Sequence, residues 1–133
     1  KVRNEEGHES EIDDIDPQSA AKKQSMTGFQ KLQGTISYMS PEQIKKAPDI
    51  DGRTDIYSLG VLLYEVITGN TPASGDTMDK LIASTLNDEP QLPSEIASMP
   101  ISNVLEKTIM QCLQKDRDNR VLTSGELIRL LRQ

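Results

Sequence analysis

The chain has 133 residues, a formal net charge of -6, one cysteine, one histidine and no tryptophan. That length allows one domain with a modest core, while the acidic balance and only four aromatic residues argue against a nucleic-acid surface, which needs a basic face or stacking platforms. A lone Cys112 excludes an internal disulfide or a Cys-rich metal site, and no apolar run reaches membrane-spanning length or reads as a signal peptide, so the expectation is a cytoplasmic setting without membrane contact.

Charge is concentrated at the start, where residues 1–16 hold seven acidic side chains against two basic ones. Up to about Lys31 the chain is polar and shows neither helical nor strand period. Such a stretch buries too little surface to offset its ordering entropy, so residues 1–33 are expected to form a disordered, mobile acidic loop. The folded part is expected over 34–133.

From there the punctuation is helical. Ser40-Pro41-Glu42-Gln43 is a helix start, with Ser40 as N-cap, Pro41 at the first helical position and Gln43 completing a capping box. Pro48 limits that helix to barely two turns. Thr54-Asp55 is expected to cap a long helix that runs to Thr68 and stops at Gly69. Its Ile56, Tyr57, Leu59, Val61, Leu62, Leu63, Val66 and Ile67 cover nearly the whole circumference, the pattern of a buried central helix. Gly60 in its middle implies close packing against another backbone.

Thr77 opens a third helix, to about Leu86, and Pro90, Pro93 and Pro100 punctuate an irregular loop. Ser102 caps a fourth helix with Leu105, Ile109, Cys112 and Leu113 on one stripe. Thr123-x-x-Glu126 is a second capping box, opening a helix with Leu127, Ile128, Leu130 and Leu131. With no convincing strand, the fold class is all-α, with about five helices.

Taken as chemistry alone, these residues offer no active site. There is no glycine-rich phosphate loop, no HExxH, no GxSxG and no ligand cluster, and His8 sits among acidic residues as a solvated side chain.

The order of the motifs is more specific. Gly34-Thr35-Ile36-Ser37-Tyr38-Met39-Ser40-Pro41-Glu42 resembles the end of the activation segment of a serine/threonine protein kinase. Thirteen residues after Glu42, Asp55-Ile56-Tyr57-Ser58-Leu59-Gly60-Val61 resembles that family's Asp-x-Trp-Ser-Leu-Gly motif. Leu63 to Gly69 matches the end of the same helix, and Cys112-Leu113-Gln114-Lys115-Asp116 leading to Arg120 resembles the closing motif. Together they resemble the later part of the C-terminal lobe, from activation segment to last helix, and the Ser-Pro-Glu-Gln ending leans toward the bacterial branch.

The resemblance implies a parent enzyme that transfers the γ-phosphate of ATP, with Mg, to serine or threonine of protein substrates. The Gly-rich loop, strand lysine, catalytic loop and metal-binding aspartate are not among these residues. The fragment is therefore expected to bind neither ATP nor metal, to be inactive alone, and to need the upstream kinase lobe as partner. It also implies roles for single residues. Thr35 would contact the catalytic aspartate and help position the substrate hydroxyl, and Met39 would line the pocket beside the phosphorylated residue. Glu42 and Arg120 would form a buried ion pair, against the plainer reading of two exposed helix-end charges. Asp55 would receive backbone N–H groups of the catalytic loop. Thr27 and Ser25 lie where activating phosphorylation occurs in related kinases, although the acidic run upstream would repel a phosphate.

Two departures from the family stand out: Tyr57 replaces the usual tryptophan, and Ala73 follows Pro72 where an aromatic is common. A pseudokinase-like scaffold and an unrelated helical adaptor bundle are the alternative readings, and the bundle predicts no pairing of Glu42 with Arg120. Without upstream helices, the long helix would expose apolar surface and leave the chain prone to association.

Overall fold

A computed structural model describes residues 28, 30–120 and 123–133, and among these it is helical with no strand. The expected acidic loop lies outside the described residues except at its end, where the chain differs from expectation. Residues 30–36 are helical (α1), not loop. Gln30, Lys31, Leu32 and Gln33 are good helix formers, and they carry the helix on through Gly34, Thr35 and Ile36. It closes with the Ser37 N–H on the Gln33 carbonyl (3.0 Å), then tightens as Tyr38 and Met39 donate to Thr35 (3.3 Å) and Ile36 (3.0 Å).

Helix α2 (Pro41–Ile44) has the expected capping box: Ser40 Oγ accepts from Gln43 N–H and Gln43 Oε1 accepts from Ser40 N–H. It is one turn long and ends before Pro48 is reached. Lys46 takes the left-handed conformation (φ 54°), so that Lys46 N–H reaches the Gln43 carbonyl and Ala47 N–H the Glu42 carbonyl. This double closure is the one glycine usually makes after a helix.

Helix α3 (Arg53–Thr68) starts two residues earlier than a cap at Thr54 implies, with Gly52 at the N-cap and no side-chain cap. Asp51 Oδ1 accepts the Arg53 N–H instead (3.0 Å). Thr54 is buried, and its hydroxyl pairs with that of Ser40 at 2.9 Å, so it ties α3 to α2 rather than capping. At the other end Gly69, with φ 75°, returns its N–H to the Glu65 carbonyl, the expected stop.

Helices α4 (Met78–Asn87), α6 (Asn103–Cys112) and α7 (Ser124–Leu131) follow, each with its expected N-cap, Thr77, Ser102 and Thr123. Two short elements were not expected. Pro93 opens a single turn, α5 (Pro93–Ile96), inside the proline-rich stretch, and a 3-10 turn spans Arg117–Asn119.

The core forms where α3 meets α6. Tyr57, Val61 and Tyr64 pack with Ile109 and Leu113, while Ile56 and Cys112 pack with Leu127 of α7. Each such side chain contributes roughly 1.5–3 kcal/mol on burial. Gly60 allows the approach: a Cβ there would lie 2.7 Å from the Cys112 Cβ, so the close neighbour is a side chain, not the backbone expected. The outer side of α3 is another matter. Leu59, Leu62 and Val66 are exposed, Val66 by 75%, so among the described residues the helix is apolar nearly all round but covered on one face only.

Candidate functional site

Three motifs far apart in the chain meet at Arg120. Its side chain is fully buried and forms a fork with Glu42, Nη1 to Oε2 at 2.6 Å and Nη2 to Oε1 at 2.7 Å. Nε donates to the Gln114 carbonyl (2.7 Å), Nη1 also to the Arg53 carbonyl (3.0 Å) and Nη2 also to the Lys115 carbonyl (3.2 Å). A guanidinium has five N–H donors, and all five are used. Tyr57 covers one face, its ring centroid 5.1 Å from Cζ, a cation–π contact made by the residue that stands in place of tryptophan.

Glu42 shows the electrostatic result. Burial pushes its carboxyl up, but the Arg120 fork outweighs it, aided by its own backbone N–H and by Ser40, and the pKa falls to about 2. Tyr57 moves the other way: burial raises its phenol to about 12 although Arg120 opposes the rise.

A second group lies between α1 and α3. The Tyr38 hydroxyl hydrogen-bonds Glu65, and Ser58 Oγ donates to the Tyr38 carbonyl at 2.7 Å. The bond to Glu65, then burial, raises the Tyr38 phenol above its ordinary value. Met39 is half-buried beside this pair, and Thr35 is exposed on α1 with its hydroxyl donating to the Lys31 carbonyl (3.2 Å). Asp55 is exposed in the first turn of α3, beside a cleft of about 340 Å³ lined with Gly52, Ile56, Thr123 and Ser124. Ser25 and Thr27 lie outside the described residues.

The structure therefore joins Glu42 to Arg120, ties Tyr38 to α3 through Glu65 and Ser58, and leaves Thr35 and Asp55 apart from both. Sequence reasoning missed Tyr38, Ser58 and Glu65, as well as the carbonyls of Arg53, Gln114 and Lys115. Tyr38 and Glu65 stand 27 positions apart with no local spacing to link them. Among the described residues no group of three or more His, Cys, Asp or Glu side chains could hold a metal ion, and no helix is long and apolar enough to cross a membrane.

A sequence model of the protein kinase domain matches residues 9–129. This chain belongs to the protein kinase domain family. Its similarity to curated relatives runs in the same direction: 34% identity over 118 residues with a probable serine/threonine-protein kinase of Clostridium acetobutylicum, covering 88% of this chain and 18% of the relative. The serine/threonine-protein kinase PknB of Mycobacterium tuberculosis is 34% identical over 103 residues, and that of Mycobacterium leprae 35%, each covering 77% of this chain and 16% of the relative. The kinase chain thus spans under a fifth of the length of these relatives. Its helices and buried fork belong to the lobe that the motif order had suggested.

Proposed function

We propose that this kinase chain is the substrate-side part of the C-terminal lobe of a serine/threonine protein kinase, which moves the γ-phosphate of ATP onto serine or threonine of protein substrates. The observation that carries the reading is the Glu42–Arg120 fork, which joins the Ser-Pro-Glu motif to the closing motif across 78 positions. An unrelated helical bundle has no reason to bury that pair.

In this reading Glu42 and Arg120 anchor the activation segment to the helices behind it, and Met39 lines the pocket beside the reacting residue. Thr35 orients the substrate hydroxyl, Asp55 receives backbone N–H groups of the catalytic loop, and Thr27 or Ser25 takes an activating phosphate. ATP and Mg bind to a lobe supplied by sequence outside these 133 residues, and the whole works in the cytoplasm. The chemistry of transfer is mainly positioning and charge stabilisation, so a rigid platform for the substrate is a real share of it.

The test uses two samples. Full-length protein, given Mg-ATP and a mixture of serine- and threonine-containing peptides, is expected to label those residues. The 133-residue chain alone is expected to give no heat on calorimetric titration with Mg-ATP. Full-length protein that folds, yet labels no peptide, would move the reading to a scaffold.

A further inference from the structure

Lys115 of the closing motif serves two elements at once. Its backbone carbonyl accepts from Arg120 Nη2 at 3.2 Å, so its main chain is part of the buried anchor. Its side chain reaches α4 instead, where Nζ donates to the Thr85 carbonyl at 2.8 Å, 30 positions away. The last carbonyls of a helix lack partners within it. In α4 the Ser84 carbonyl takes the Asp88 N–H at 3.0 Å, and the Thr85 carbonyl takes the Lys115 ammonium. Thr85 is buried, and its own hydroxyl turns back on the Leu81 carbonyl at 3.1 Å. Burial lowers the Lys115 pKa, with Glu89 and Asp88 opposing the fall, so the amine is partly stripped of water. A charged donor in such a setting makes a stronger hydrogen bond than one in open solvent.

Packing does not replace that bond. Between α2 and the closing motif lies a cavity of about 350 Å³, lined by Pro41, Glu42, Lys45, Ala47, Lys115 and Arg117. Where side chains do not interdigitate, polar links carry the relative placement of the elements. Helix α4 lies against α2, and the loop before it takes Gln33 Nε2 on the Gly75 carbonyl at 3.4 Å. It therefore borders residues 33–42, the stretch that the kinase reading puts under the substrate. We propose that Lys115 is a positioning residue: through one charged hydrogen bond it fixes α4 to the buried anchor and so holds the substrate platform in one placement. This rests on the kinase reading above and assigns part of its substrate affinity to a residue that touches no substrate.

Two substitutions in the full-length protein test it. Lys115→Met keeps an unbranched stem and removes the donor, while Lys115→Arg restores a donor and the charge. A charged hydrogen bond shifts a local equilibrium by about ten-fold or more. A protein that binds substrate from one placement loses apparent affinity as the others fill. Peptide KM is therefore expected to rise by up to about ten-fold in Lys115→Met with kcat unchanged, and Lys115→Arg is expected to recover most of the rise. Amide exchange, read on the same samples, is expected to quicken along α4 in Lys115→Met and to stay as in wild type along α3. A fall in kcat with faster exchange along α3 would make Lys115 a general support of the fold and overturn the proposal. Unchanged KM in Lys115→Met would overturn it too, as would a Lys115→Arg protein no better than Lys115→Met. If wild-type protein labels no peptide, the kinase reading fails and this role falls with it, whereas unchanged KM in an active enzyme removes the Lys115 role alone.

Discussion

Among the described residues, arginine meets carboxylate both in the core and on the surface, under opposite conditions. At Arg120–Glu42 the fork is buried, every guanidinium hydrogen is used and an aromatic ring closes one face. On the surface nearby, Arg53 bridges Asp51 and Asp118, and Arg117 holds Asp49, with all three carboxylates largely open to water. The two arrangements even share a residue, since the Arg53 backbone carbonyl accepts from Arg120 while its side chain faces outward. Water decides what each can do. Exposed pairs exchange one set of hydrated contacts for another, and screening removes most of the remainder. The buried fork has no such exchange available, so its geometry is fixed and its loss is severe.

The largest expected effect therefore comes from breaking the fork on one side. Arg120→Met should leave Glu42 buried without a partner and cost roughly 3–5 kcal/mol, read as a fall in the urea midpoint. The double variant Glu42→Met with Arg120→Met should recover part of that loss, since two apolar groups leave no orphan charge. Arg120→Lys is intermediate. It keeps the charge but gives three donors in place of five, so at least two acceptors among Glu42 and the carbonyls of Arg53, Gln114 and Lys115 go unpaired. If Lys proved as stable as Arg, the fork geometry would be irrelevant and only charge would matter.

Acid should act on the same pair. The Glu42 carboxyl titrates at about 2 in the folded chain against an ordinary value of 4.5. The folded form thus holds its carboxylate more tightly than the unfolded form does, and the associated stability is complete above pH 4.5. It drains away as pH falls from there through about 2. Thermal melts in that window should show a steep fall for wild type and a shallower one for Glu42→Gln. A parallel fall in both would place the acid sensitivity elsewhere.

How much of this was legible in advance differs by kind of interaction. The capping box at Ser40, the stop at Gly69 and the N-caps Thr77, Ser102 and Thr123 are local signals, and they were readable because each depends on neighbours within four positions. Glu42–Arg120 is not local, and only the order of motifs pointed to it. Thr54 was misjudged as a cap because a threonine before an apolar run satisfies the cap pattern equally well when it is buried against Ser40. Helix α1 was missed for a physical reason too. Gly-Thr-Ile-Ser is poor helix sequence, and no periodicity scan foresees a helix that its own residues disfavour. The face of α3 carrying Leu59, Leu62 and Val66 gave the converse case: composition read it as buried, and the described residues leave it uncovered.

The smallest expected effect belongs to the exposed pairs, and it completes the contrast. Asp118→Asn removes the charge of one of the two carboxylates that Arg53 bridges, while Asp51 still holds the guanidinium through three hydrogen bonds and the surrounding water is undisturbed. The melting temperature of this variant should stay close to wild type in low salt. Any residual difference should vanish near 1 M salt, where the screening length shrinks to about 3 Å. The difference made by Arg120→Met should persist under the same conditions, because ions cannot enter the space between Arg120 and Glu42. A large, salt-resistant loss in Asp118→Asn would mean that Arg53 transmits its outward contact to the carbonyl that Arg120 uses, making the surface bridge part of the buried anchor rather than its opposite.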